Sequence, residues 1–394
     1  MYFYDDGVAR AFAPFALTRP GAELRAGALL VRERWTRVLG LEAAGFLSAP
    51  ALAGFDEPAA PGAAEGVLPA GSIVVNARCA PALDARADAR AGAWRCAGRL
   101  AAVRLATALP ADAFADGTAA LDSVPIGGDE AELAGWWHDA VWDYVGYLGA
   151  QLARDLPVLG AELDVVDHPG VVLGAHPVFA ERGATVEPYA VFDTAAGPVV
   201  LRRGASVQAF TRVVGPCYVG ESSMVTADRI SGCAIGDHCK VHGEISASVL
   251  IGHANKSHDG FVGHSYLGRW VNLGAGTTTS NLKNTYGTVA LWTPGGVRDT
   301  GLQFLGTLFG DHAKTGIGLT LTTGTVVGAG ANVYDRMPPK AVAPFAWGGG
   351  PPYDTYDAER FVRVAERVMA RRHQPLSAGM RGVLARAHAR RANG

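Results

Sequence analysis

The chain has 394 residues, 49% of them hydrophobic, with 51 glycines and a formal net charge of −2. Near-neutrality provides no global field for nucleic acid or an anionic membrane. The apolar content excludes a disordered chain, and no run approaches the roughly 18 apolar residues that span a bilayer.

Cysteines number five and form no C-x-x-C. That pattern argues for buried, reduced thiols in a cytoplasmic protein, without a disulfide framework or zinc site, and no metal ligands are assigned. The opening "MYFYDDGVAR" puts acids where a secretory signal needs cations.

Four zones follow in chain order. Residues 1–127 mix arginine- and alanine-rich segments with the strand-like run "GSIVVNARCAP". Residues 128–160 read as a linker helix, with Leu133, Trp137, Val141, Val145, Leu148 and Leu152 at steps of three and four and acids at its start.

Residues 161–340 repeat every six positions. Val207, Val213, Val219 and Val225 keep that step. So do Phe261, Leu267 and Leu273, and again Phe309, Thr315, Leu321, Val327 and Val333. A six-residue period is neither helical nor alternating. It suits a triangular prism with one inward aliphatic residue per face and a tight turn at each corner.

The register breaks between Thr278 and Leu305, which predicts an excursion from the coils. Residues 341–394 read as a Gly/Pro linker and two arginine-rich amphipathic helices. A cap over the open prism end is their expected role.

"KSHDGFVGHSYLGRWVNLGAGTTTSN" resembles the acetyltransferase half of the bifunctional N-acetylglucosamine-1-phosphate uridyltransferase/glucosamine-1-phosphate acetyltransferase family. The whole chain resembles a variant branch described as putative sugar nucleotidyltransferases. The resemblance implies an α/β nucleotidyltransferase-like domain, shortened here, then a left-handed parallel β-helix of hexapeptide repeats with C-terminal helices.

It further implies a coenzyme A-dependent acyl transfer to an amino sugar phosphate or sugar nucleotide, from acetyl-CoA or another acyl-CoA, in a homotrimer. Anchored without a gap on "VNLGAGT", the family's catalytic histidine falls on His258 and its tyrosine on Phe261. A gapped anchor on "GHSYLG" selects His264 with Tyr266 instead.

Lys256, Asn272 and Asn281 fall at family substrate positions. Gly274, Ala275 and Gly276 are expected to bare backbone donors at a corner, and Lys314 to meet phosphates of the donor. A neutral imidazole suits general-base work near pH 7.

The opening "DDGVARAFAPFALTRPGAEL" is similar to the loop that cradles a triphosphate in sugar-1-phosphate nucleotidyltransferases, with Arg19 as its neutralising cation. Gly21 stands where that family has a lysine, and the metal-binding aspartate is missing after Asn76. Nucleotidyl transfer, with Mg²⁺ only if that domain is active, is the alternative activity, and a non-catalytic sugar-nucleotide-binding scaffold is a third.

Overall fold

The computed structural model describes residues 1–226 and 228–391. Its N-terminal part is an α/β domain around one six-stranded sheet. Tyr2–Tyr4 lies between Gly45–Leu47 and Ile73–Asn76 and is parallel to both. Arg99–Arg104 and Ala93–Cys96 extend the sheet antiparallel. Helix α1, Val31–Leu39, ends at Gly40 in the left-handed region, where glycine carries no Cβ penalty.

The linker helix is only half present. Glu130–Glu132 and Gly135–Trp137 are strands that pair with Ala93–Cys96 and Cys79–Pro81. A side chain at Gly135 would lie 2.7 Å from the Ala80 carbonyl, so sheet pairing at that distance uses its missing Cβ. Helices α2, Asp143–Gly146, and α3, Leu148–Gly160, follow. The periodic apolar set is buried as expected, but its first third packs as sheet edge.

The solenoid is a parallel β-helix of about ten turns. Its first face runs in six strands from Val171–Leu173 to Phe261–Gly263. Nine strands, from Val178–Ala180 to Ala341–Val342, make the second face. The third starts at Thr185–Val186 and is carried past Asn255–Lys256 by single bridges through Asn272 to Lys314. Val207, Val213, Val219, Val225, Val327 and Val333 are fully buried in its interior.

The six-step register fails at Phe261, which is half-buried while Val262 points inward. The cause is the wider corner Ser257–Gly260, which shifts the inward position by one. Lys256 pairs with Val241 and takes an inward position itself, 1% exposed.

The excursion leaves after Thr279 and rejoins the second face at Thr307. It carries the hairpin Ala290–Thr293/Gly296–Asp299 and folds against its own chain rather than reaching outward. Val289 and Leu291 are fully buried in the core shared with the N-terminal domain. The Arg298 guanidinium lies 5.0 Å over the Trp142 ring.

That shared core forms because the second face is apolar outside as well as inside. Val200, Tyr218, Val249, Ile251, Tyr266 and Leu308 join Phe15, Ala26 and Leu152 in one cluster. Tyr266 donates to the Arg25 carbonyl at 3.1 Å and accepts from the Arg25 N–H at 2.6 Å.

Helices α4, Ala358–Ala370, and α5, Ala378–Ala389, are capped by the side chains of Asp357 and Ser377. In α5 Met380, Val383, Leu384 and Ala387 are buried. In α4 the buried stripe is Phe361, Val362, Ala365 and Met369, so Val364 and Val368 lie beside it. The pair wedges against the N-terminal domain: Gly379 meets the Gly54 backbone and Arg386 donates to the carbonyls of Ala51 and Ala53. Phe361 packs on Phe345 of the last coil.

Candidate functional site

The two candidate histidines occupy different corners of the prism. His258 is exposed in the corner Ser257–Gly260. Its carbonyl, not its ring, is engaged: the Lys256 ammonium donates to the carbonyls of His242, His258 and Asp259. Burial lowers that ammonium's pKa to about 8, with Asp259 and Asp228 opposing. Lys256 therefore fastens the corner from inside and is not presented to a substrate phosphate.

His264 sits at the next corner in the left-handed region, φ 47°. Its N–H donates to the Ser246 carbonyl at 2.9 Å. The Asn281 amide nitrogen, Nδ2, lies 2.9 Å from Nδ1, and the Phe304 ring stacks on the imidazole with centroids 5.1 Å apart. Burial lowers the pKa of the ring, so the neutral form prevails at pH 7. As placed, the amide nitrogen donates to Nδ1 and leaves the proton on Nε2; with the amide turned over, its oxygen accepts from Nδ1–H and Nε2 keeps its lone pair. Phe304 carried no sequence signal, because it ends an excursion with no repeat.

Asn281 and Phe261 also wall an open cleft of about 420 Å³ on the first face. Thr278, Ser280, Thr320 and Thr322 bring hydroxyls to it, beside the apolar Leu321 and Met337. An aromatic plate with hydroxyl and amide groups around it suits a polyhydroxylated ligand.

The other expected site residues are not gathered there. Tyr266 is buried on the second face with both hydroxyl bonds spent on Arg25, so it does not accompany His264. Asn272 lies on the third face, where its oxygen accepts from Asn255 at 2.7 Å in a ladder along the stack. Lys314 follows it in that column and donates to the His312 carbonyl at 3.2 Å. Burial lowers its pKa to about 8.

The corner Gly274–Gly276 is tight because Gly274 faces Gly316: a Cβ there would lie 2.2 Å from that carbonyl. The Gly274 N–H donates to Thr315 Oγ1 and the Gly276 N–H to the Asp259 carbonyl. Both donors are engaged within the fold. Ala275, between them, is half-buried.

Arg19 corrects the expectation of a triphosphate ligand. It is 1% exposed and bonds Asp311 of the solenoid and Glu57 of the N-terminal domain, each at 2.9 Å. Burial works against its charge, but Asp311 and Glu57 outweigh that and raise its pKa. Arg269 adds a second cation to Glu57 at 2.9 Å.

A Mg²⁺ ion is equally ill served. In an open α/β sheet, ligands meet the carboxyl ends of the strands, here at Asp5, Asp6 and Asn76. Both oxygens of Asp5 face the Gly21 N–H, at 3.0 and 3.2 Å. Asp6 is held by Arg78 at 2.8 Å and by Asn76 at 3.0 Å. Burial pushes Asp6 up, yet the donors from Arg78, Ala9 and Asn76 prevail and its pKa falls. A guanidinium thus sits where a cation would be bound.

Among the described residues, Asp228, His242 and Asp259 form a cluster with metal-ligand spacing. No described helix is long and apolar enough to cross a membrane.

Known proteins bear on both halves. Residues 1–162 match the family model described as sugar nucleotidyl transferase. "Bifunctional protein GlmU" from Jannaschia sp. (strain CCS1) is 29% identical over 170 residues, 42% of this chain and 36% of that protein. A "bifunctional sugar-1-phosphate nucleotidylyltransferase/acetyltransferase" from Sulfurisphaera tokodaii is 34% identical over 91 residues, 23% of each chain. "Bifunctional protein GlmU" from Desulfitobacterium hafniense is 28% identical over 201 residues, 44% of this chain and 40% of that one. The chain thus spans well under half the length of these curated relatives.

A UDP-N-acetylglucosamine acyltransferase from Campylobacter jejuni covers 55% of this chain and 93% of its own, at 12% identity and a TM-score of 0.16, too slight a likeness to bear on function. Residues 1–162 are therefore similar to the sugar nucleotidyl transferase family, and the solenoid joined to them fits the hexapeptide-repeat acyltransferase domain of GlmU-like bifunctional proteins.

Proposed function

We propose that this chain is an acyltransferase acting on a sugar compound, an amino sugar phosphate or sugar nucleotide, with His264 as general base. The observation that carries the reading is the His264–Asn281 pair at the edge of the hydroxyl-lined cleft. A base needs a second group that fixes its tautomer, and Asn281, with its amide oxygen turned to Nδ1–H, is that group. The exposed His258 owes its candidacy to the sequence register alone.

Acetyl-CoA, or another acyl-CoA, supplies the activated acyl group. Nε2 of His264 takes the proton from the acceptor amine or hydroxyl and returns it to the departing thiolate. Phe261 offers a ring without the hydroxyl of the related tyrosine, so the acceptor is held by contact there and by Thr and Ser hydroxyls around it.

The expected site residues lie on two faces of one protomer, Asn281 on the first and Asn272 and Lys314 on the third. A homotrimer that sets the third face of one copy against the first face of the next brings them together. Cytoplasmic sugar-nucleotide metabolism is the setting proposed. Nucleotidyl transfer is not favoured, because Arg19 and Asp6 are consumed by internal ion pairs.

The test is thiol release from acetyl-CoA with a panel of amino sugar phosphates. His264→Ala is expected to slow transfer by about 10²–10⁴-fold, with His258→Ala near wild type. The reverse pattern moves the base to His258. No release by the wild-type chain with any acceptor overturns the activity.

A further inference from the structure

The segment 281–305 grips His264 at both ends. Asn281 bonds the imidazole and Phe304 stacks on it, while Leu282 and Phe304 bridge to each other. Its middle carries the hairpin Ala290–Thr293/Gly296–Asp299. There Trp292 and Pro294 wall a cavity of about 550 Å³ between the N-terminal domain and the last coils. Leu17 comes from the domain, and Val342 and Pro344 from the solenoid. One stretch of chain therefore touches both the imidazole and this cavity.

The lining states what the cavity would take. It is built mainly of Ala, Pro, Val, Leu and Trp side chains. Arg10 is present, but its guanidinium is spent on the carbonyls of Asp5, Phe114 and Ala115. Arg390 is the remaining cation, exposed at the rim, and Asp116 opposes it. Several phosphates would need several cations where Arg390 alone is offered among the described lining residues, whereas a single anionic group on an apolar body needs only that one.

We propose that this cavity binds an apolar carboxylate of medium chain length, and that its occupancy is transmitted through residues 281–305 to the orientation of His264. Filling the cavity presses on Trp292 and Pro294. Both belong to the hairpin Ala290–Thr293/Gly296–Asp299, which the buried Val289 and Leu291 and the Arg298–Trp142 contact tie to the core as one unit, so its displacement is passed along the segment to the two ends. The coupling stands on where His264 sits, whether or not it transfers acyl groups.

The test uses the full chain and decanoate below its micellar concentration. Calorimetry is expected to show one saturable site, weakened at least about tenfold by Ala343→Trp. Ala343 is exposed and lines the cavity, so the indole fills the space without entering the core. Histidine-labelled protein read by NMR, with His264→Gln assigning the signal, is expected to show the His264 ring resonances and their titration midpoint move with decanoate. Ala343→Trp should abolish that movement.

Absence of saturable heat, binding that survives Ala343→Trp, or heat with a nucleoside triphosphate in place of decanoate overturns the ligand assignment. Binding that leaves the His264 resonances unmoved overturns the coupling. A chain that shifts His264 yet transfers no acyl group would sink the acyltransferase reading and leave the coupling standing.

Discussion

Replacing Arg19 by Met separates a structural from a catalytic role for the arginine of "LTRP". Its guanidinium joins Asp311 and Glu57, 292 and 38 residues away, with side chains at most 8% exposed. Removing one partner of a buried ion pair costs about 3–5 kcal/mol, since a charge is left uncompensated. Part of the network survives: Glu57 keeps Arg269, and Asp311 keeps Thr18 at 2.7 Å and the Arg269 N–H at 2.8 Å.

Three charges then remain, Arg269 against two carboxylates, so the loss should fall near the lower end, about 3 kcal/mol. That is roughly a 150-fold rise in the unfolded fraction. Urea unfolding followed by circular dichroism reads it, and Met preserves most of the side-chain volume. Adding Asp311→Asn to Arg19→Met should cost less than the sum of the two single changes, because both act on one pair. A loss below about 1 kcal/mol, accompanied by weakened nucleotide binding, would refute the structural role and return Arg19 to the triphosphate.

Three further outcomes follow from the same geometry. Gly274→Ala puts a Cβ 2.2 Å from the Gly316 carbonyl and should lower stability by about 1–3 kcal/mol in thermal or urea melts, whatever it does to ligand binding. Phe304→Ala should raise the acid-limb midpoint of His264 towards the ordinary histidine value as water reaches the ring, which NMR titration measures. Burial lowers the pKa of His138 and of His253 to about 3, with Arg269 also acting on His253. Below the unfolded value near 6.5 the unfolded chain binds protons that the folded chain refuses. Stability should therefore fall as pH drops from about 6.5 towards 3, by up to about 1.4 kcal/mol per pH unit for each ring. Urea midpoints at pH 7 and pH 5 measure that slope.

Period and composition were enough to establish the coil. An aliphatic residue every six positions has one economical burial, so Val207 to Val225 and Val327 to Val333 declare a prism interior before any contact is known. The break at Thr278 announced the excursion for the same reason. Apolar periodicity alone could not tell the helix α3 from the strands at 130–137, because a sheet edge buries Leu133 and Trp137 as well as a helix does.

The site was half legible. The family resemblance named both histidines and Asn281, but the pairing of His264 with Asn281 depends on coil stacking, which sets residues 17 positions apart side by side. Phe304 reaches the imidazole only because the excursion returns there. Lys256, Tyr266 and Arg19 are residue types that bind sugars and phosphates, yet each is consumed by internal partners, the farthest 292 residues away. Sequence determines which groups a chain possesses. Only the tertiary arrangement decides which of them still have a free lone pair or proton, because burial leaves no water to satisfy a polar group that the protein does not.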